Sequence, residues 1–155
     1  HRYFDGTLPA PAAYEAGDLE IQAIAASATK NADEAMENVA IQDAINSIWT
    51  LVDALNNYIT VQEPWVLAKD EANRERLGTV LYTTAEGLRA LAVLLNPITP
   101  KATAKLWSAL TAGAQGHLDD QPLAEAGNWG QLKAGIKLAE LEALFPRIEQ
   151  EIEAK

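Results

Sequence analysis

The sequence predicts an all-α fold, a helical bundle of four to five helices in one domain. Three observations predict it. Alanine and leucine dominate while β-branched residues rarely alternate with polar ones, so strand signals are nearly absent. Apolar residues recur at steps of three and four over long stretches. Prolines fall between those stretches, where helices should stop. A length of 155 residues with 48% apolar content fits a single domain with a real core.

Taken in order, Tyr3 to Pro11 carries Asp5-Gly6 and two prolines and reads as an extended lead-in, which we take over residues 1–17. Asp18 is a fitting cap for a first helix with Leu19, Ile21, Ala25 and Ala28 as apolar positions, ending near Lys30. The second helix is the strongest signal. Ile41, Ala44, Ile45, Ile48, Trp49, Val52, Leu55 and Ile59 form one stripe, with Glu34 and Glu37 placed in its first turn, so it should span about Asp33 to Thr60. Pro64 breaks it, and Val66 to Lys69 is read as one short turn. A third long helix should run from about Ala72 to Leu95 on Leu77, Val80, Leu81, Leu88, Leu91, Ala92 and Leu95. Asn96-Pro97 ends it, and Thr99-Pro100 opens the next as cap and first helical residue, carrying Leu106, Trp107 and Leu110 to Gly113. Residues 113–143 read as irregular, and residues 144–155 as a final short helix packed through Leu144, Phe145 and Ile148. No repeat of fixed period occurs.

Several function classes lose support at this stage. Without cysteine there is no disulfide, thiolate metal site or cysteine nucleophile. The two histidines, His1 and His117, have no partner at metal-ligand spacing, so we expect no metal. No glycine-rich phosphate loop is present, and pairs such as Asp70-Glu71 and Asp119-Asp120 read as solvated surface. We therefore expect no catalytic residue in this chain. The longest clean apolar run, Ala90 to Leu95, is far too short to span a membrane. A net charge of −10 opposes a protein that grips nucleic acid mainly through phosphates. The opening His1-Arg2-Tyr3-Phe4, with no initiator methionine, suggests a piece of a longer protein.

One stretch remains unexplained by packing alone. In "NNYITVQEPWVLAK", residues 56 to 69, a helix breaks at Pro64 and the largest side chain, Trp65, follows at once. This segment resembles the signature of the anticodon-binding domain of methionyl-tRNA synthetases, with Asn57-Tyr58, Pro64-Trp65 and Ala68-Lys69 all matching. "RYFDGTLP" from Arg2, "LLNPITPKATAKLWSAL" from Leu94 and "LFPRIE" from Leu144 resemble further segments of the same family, in the same order. The resemblance covers nearly the whole chain. It implies an α-helical bundle appended to an upstream catalytic domain. It implies anticodon recognition on methionine tRNA, with Trp65 stacking on an unstacked base and Pro64 positioning it. The family's other base-reading residues and its catalytic motifs fall outside this chain. The resemblance therefore implies no cofactor here, with ATP and methionine used by the parent enzyme, in the cytoplasm, without membrane or DNA as partners.

The residues can be read without the family too. Single-stranded loops are recognised by laying bases on aromatic faces, so a tryptophan projecting from a rigid corner suits an unpaired base. A plug that seals the helix end is the plainer role for Trp65, and the resemblance favours RNA. Lys69, Arg74 and Arg76 are the nearest cations and are expected to form a local positive patch for phosphates, with Asn57 and Tyr58 lining the same corner. Capping or packing is an equal role for the latter two. Trp49 and Trp107 lie on apolar stripes and are expected in the core, and Trp129 as a lid. The alternative functions are a free-standing helical protein-interaction module and a stand-alone helical enzyme.

Overall fold

The computed structural model describes residues 2–146. It contains four long helices and one single-turn helix: α1 (Ala16–Glu37), α2 (Ile41–Gln62), α3 (Pro64–Leu67), α4 (Arg74–Leu95) and α5 (Pro100–Thr111). Short 3-10 turns occur at Glu71–Asn73, Leu118–Asp120 and Leu123–Glu125. The described residues form no β-strand, and one antiparallel bridge pairs Thr7 with Lys137.

The boundary between α1 and α2 differs from the sequence expectation. Residues 33–37 extend α1, because Ala32 continues the buried Ile21, Ala25 and Ala28 stripe by one more turn. The chain then reverses at Asn38–Ala40. The Val39 amide bonds Met36 O at 3.0 Å and the Ala40 amide bonds Ala35 O at 2.8 Å, which is the bonding of a Schellman cap. Glu34 and Glu37 thus belong to the last turn of α1, and α2 starts at Ile41. Asp18, expected as a cap, lies one turn inside α1, where its Oδ2 accepts the Glu15 amide at 2.8 Å.

α1 and α2 pair as a helical hairpin, and α4 packs against both of them, α3 and α5. That central position buries α4 on nearly every side. A main core joins Ile21, Ile48, Leu51, Leu55, Val80 and Trp107. A second cluster joins Leu8, Tyr82, Ala85, Leu110 and Leu132. Trp107 is buried as expected and donates Nε1–H to Gly116 O at 3.0 Å. Trp129 packs half-buried on the main core, as a lid would. Trp49 departs from expectation: it is 54% exposed, because the inward line of α2 runs through Ala44, Ile48, Leu51, Leu55 and Tyr58 and leaves position 49 to one side.

The irregular segment is fastened from inside by one line of α4, Tyr82, Glu86 and Arg89, at steps of four and three. Glu86 and Arg89 are 0% and 1% exposed and pair at 3.2 Å. The Glu86 carboxylate also accepts the amides of Gly130 (3.0 Å) and Leu132 (2.6 Å). Arg89 Nη2 donates to Ala126 O (3.0 Å) and Asn128 O (2.8 Å), and Tyr82 donates its hydroxyl to Leu132 O (2.7 Å). Backbone groups that no helix satisfies are thereby satisfied by side chains.

The lead-in is held as well. Leu8 donates to Ile136 O at 2.9 Å, Gly135 donates to Leu8 O at 2.8 Å, and Leu138 donates to Gly6 O at 2.7 Å. At the other end, residues 144–146 are not helical and Phe145 is 74% exposed, so it does not pack as expected. The rest of the expected final helix, including Ile148, and His1 lie outside the described residues.

Candidate nucleic-acid interface

The corner after α2 is built from its backbone. The Glu63 amide closes α2 on Ile59 O at 3.1 Å, and Glu63 itself takes a left-handed conformation, φ 44° and ψ 60°. Its carbonyl then accepts the amides of Val66 (2.8 Å) and Leu67 (3.2 Å), so the same residue ends α2 and starts α3. Pro64 occupies the first helical position, where its missing N–H costs nothing and its fixed φ suits the turn. Ala68 N bonds Pro64 O at 3.0 Å and completes the turn.

Helical spacing within that single turn decides what faces outward. Pro64 is buried and Leu67, three residues on, packs against the core. Trp65 and Val66 lie between them and project outward, with Trp65 47% exposed. Trp65 is thus about half exposed, a geometry that fits a sealing role and leaves room for a planar ligand.

Asn57 is exposed on α2, on the rim of a groove of about 190 Å³ shared with Gly17, Glu20, Val61 and Gln62. Tyr58, its neighbour, lines the same groove. It is buried, and its hydroxyl donates to Asp18 Oδ1. Arg76, expected among exposed cations, is committed to the same carboxylate. Its Nη1 lies 2.6 Å from Asp18 Oδ2 and its Nη2 3.0 Å from Oδ1. Nη2 also donates to Gln62 Oε1 at 2.7 Å, and Nε stands 3.4 Å from Glu15 Oε2. Tyr58 and Arg76 are therefore both tied to one buried acid, Asp18, and Arg76 is not a free cation.

Burial pushes the Asp18 carboxyl up, but hydrogen bonds from Arg76, Tyr58 and the Glu15 amide, with the Arg76 charge, outweigh it and hold the group below its ordinary value. Burial first, and the bond to Asp18 second, push the Tyr58 hydroxyl well up, so it stays a donor. The Asp18 bond is the main reason that Arg76 is held above its ordinary value.

Arg76 is therefore not available to the expected positive patch. Arg74 lies 4.7 Å from the Phe4 ring centroid and 3.6 Å from Glu71, with its side chain about half exposed. Lys69 is exposed and has no carboxylate within 4.0 Å among the described residues. Sequence reasoning missed Asp18, Glu15 and Gln62 as partners of Arg76. A buried acid that faces residues far along the chain leaves no local spacing to find.

The single turn of α3 thus displays one half-exposed tryptophan from a proline-fixed corner. The chain belongs to the anticodon-binding domain family of tRNA ligases, whose model matches residues 18–155. Its relatives are methionine–tRNA ligases. It is 46% identical to the one from Streptomyces coelicolor over 96% of this chain and 28% of that protein. It is 40% identical to the one from Caldanaerobacter subterraneus over 98% of this chain and 23% of that protein. Among solved structures it resembles the apo methionyl-tRNA synthetase of Mycobacterium tuberculosis, with a TM-score of 0.82 and 28% identity over 96% of this chain and 29% of that one. The same enzyme in complex with methionyl-adenylate also gives a TM-score of 0.82. The chain thus spans about a quarter of the length of these relatives. This family membership does not favour the free-standing interaction module. No helix among the described residues is long and apolar enough to cross a membrane.

Proposed function

We propose that this chain is the anticodon-reading bundle of a cytoplasmic methionine–tRNA ligase, and that Trp65 stacks on an unpaired base in the anticodon loop of methionine tRNA. The observation that carries this is the half-exposed indole on the single-turn helix α3, whose buried Pro64 and core-packed Leu67 fix its direction. Asn57 stands near the end of α2 as a polar group for a base edge, and Lys69 and Arg74 supply charge for neighbouring phosphates. The whole protein would use ATP and methionine in a catalytic domain upstream of this bundle, as its similarity to methionine–tRNA ligases suggests.

In the full-length protein, Trp65→Ala should lower kcat/KM for methionine tRNA by about 5- to 150-fold, the equivalent of about 1–3 kcal/mol for one base stack. Methionine-dependent ATP–pyrophosphate exchange needs no tRNA and should change far less. An equal loss in both reactions would remove the stacking role.

A further inference from the structure

We propose that Arg76 is a positioning residue: with Asp18, Tyr58 and Gln62 it clamps the last turn of α2 and so sets the direction of Trp65, without touching RNA. This inference rests on the proposed anticodon role of Trp65.

Three observations carry it. First, the guanidinium is spent. Its nitrogens meet both Asp18 oxygens, Gln62 Oε1 and Glu15, at 2.6 to 3.4 Å, in the two-pronged geometry that only a guanidinium provides. Second, its partners lie at the corner. Tyr58 is one turn before the end of α2, Gln62 is its last residue, and Glu63 is the hinge that opens α3. Third, the clamp ties together the three helices on which the corner depends, with Asp18 from α1, Tyr58 and Gln62 from α2, and Arg76 from the first turn of α4. The Glu63 backbone takes a left-handed conformation that non-glycine residues seldom hold, so the segments on either side must be fixed to keep it there.

The test compares the full-length protein with single and double variants in aminoacylation of methionine tRNA. Asp18→Asn, which removes no cation, and Arg76→Ala should each raise KM for tRNA about tenfold, a change of about 1.4 kcal/mol. Pyrophosphate exchange should stay within about twofold, as expected when only tRNA binding is affected. In a Trp65→Ala background, each should add less than about twofold, because the residue through which they act is gone. Arg76→Lys should fail to rescue, since an ammonium cannot span both carboxylate oxygens and Gln62. Gln62→Leu, which breaks one bond and leaves Asp18 paired, gives the same readout if the other variants do not fold.

Three results would overturn the inference. One is an unchanged tRNA KM in Asp18→Asn and Gln62→Leu. Another is a full additive loss in the Trp65→Ala background. The third is rescue by Arg76→Lys, which would make Arg76 a direct phosphate contact. If Trp65→Ala alone leaves the tRNA KM unchanged, the stacking role itself falls and takes this inference with it.

Discussion

Buried charge in this chain does two separate jobs, and each can be traced to single residues. Glu86 and Arg89 are both shut off from solvent, so removing one leaves the other charged, desolvated and unpaired. Glu86→Ala should cost about 3–5 kcal/mol, read as a lower urea midpoint, and should release the backbone near Gly130 and Leu132. Glu86→Gln keeps one acceptor oxygen and should cost less. Trp65, by contrast, is half exposed, so its removal should be felt in binding more than in stability. The exposed corner that carries Trp65 was legible from Pro64-Trp65. The committed state of Arg76 was not, because its partner Asp18 lies far along the chain and looked like a helix cap.

At the scale of elements, prolines marked boundaries well and alanines marked them badly. α5 starts on Pro100, as expected, while α3 starts on Pro64 itself, two residues before the turn expected from Val66. The gap between α1 and α2 has no proline or glycine, so nothing in composition announced it. Val39 makes the turn there at φ 58°, a left-handed conformation that a β-branched residue adopts only with strain, and its side chain is 79% exposed. Val39→Gly should relieve that strain, worth about 1–2 kcal/mol before glycine's own entropy cost of about 0.5–1 kcal/mol. A net gain of roughly 0.5–1 kcal/mol in urea or thermal unfolding is expected, with no change in tRNA kinetics. A loss of stability would mean that Val39 packs in a way its exposure does not suggest. Amphipathic periodicity located α2 but misjudged Trp49, since residues 45, 49 and 52 extend the apolar stripe beyond the buried line.

For the whole molecule, charge governs both pH response and RNA binding. Asp18 releases its proton more readily in the fold than in the unfolded chain. Its contribution to stability is therefore complete above the ordinary carboxylate value, near pH 4, and is lost as pH falls through the lower folded value. Urea unfolding of wild type and Asp18→Asn should differ most at neutral pH and converge as pH falls below the ordinary carboxylate range. Convergence at alkaline pH instead would contradict the assignment. With a net charge of −10 and Arg76 internally paired, phosphate contact should be sparse. Lys69→Gln should make the salt dependence of tRNA binding shallower by about 0.7 in log–log slope, the share of one single-strand phosphate contact. An unchanged slope would remove Lys69 from the interface. The fold class, the bundle and the exposed corner could all be anticipated from periodicity, prolines and one motif. The lining of the irregular segment could not, because polar residues on one line of a buried helix carry no periodic apolar signal.

The stapling of Gly6 and Leu8 to Gly135, Ile136 and Leu138 has a consequence for synthesis on the ribosome. Domains generally begin to fold from the N-terminal side as the chain emerges, at about 5–20 residues per second. The lead-in is made well before Gly135, Ile136 and Leu138, so these bonds wait for the later segment. Until Leu132 follows, the cluster that Leu8 forms with Tyr82, Ala85 and Leu110 lacks one of its buried members. The helices can assemble first, and closing the lead-in and the irregular segment over them should follow.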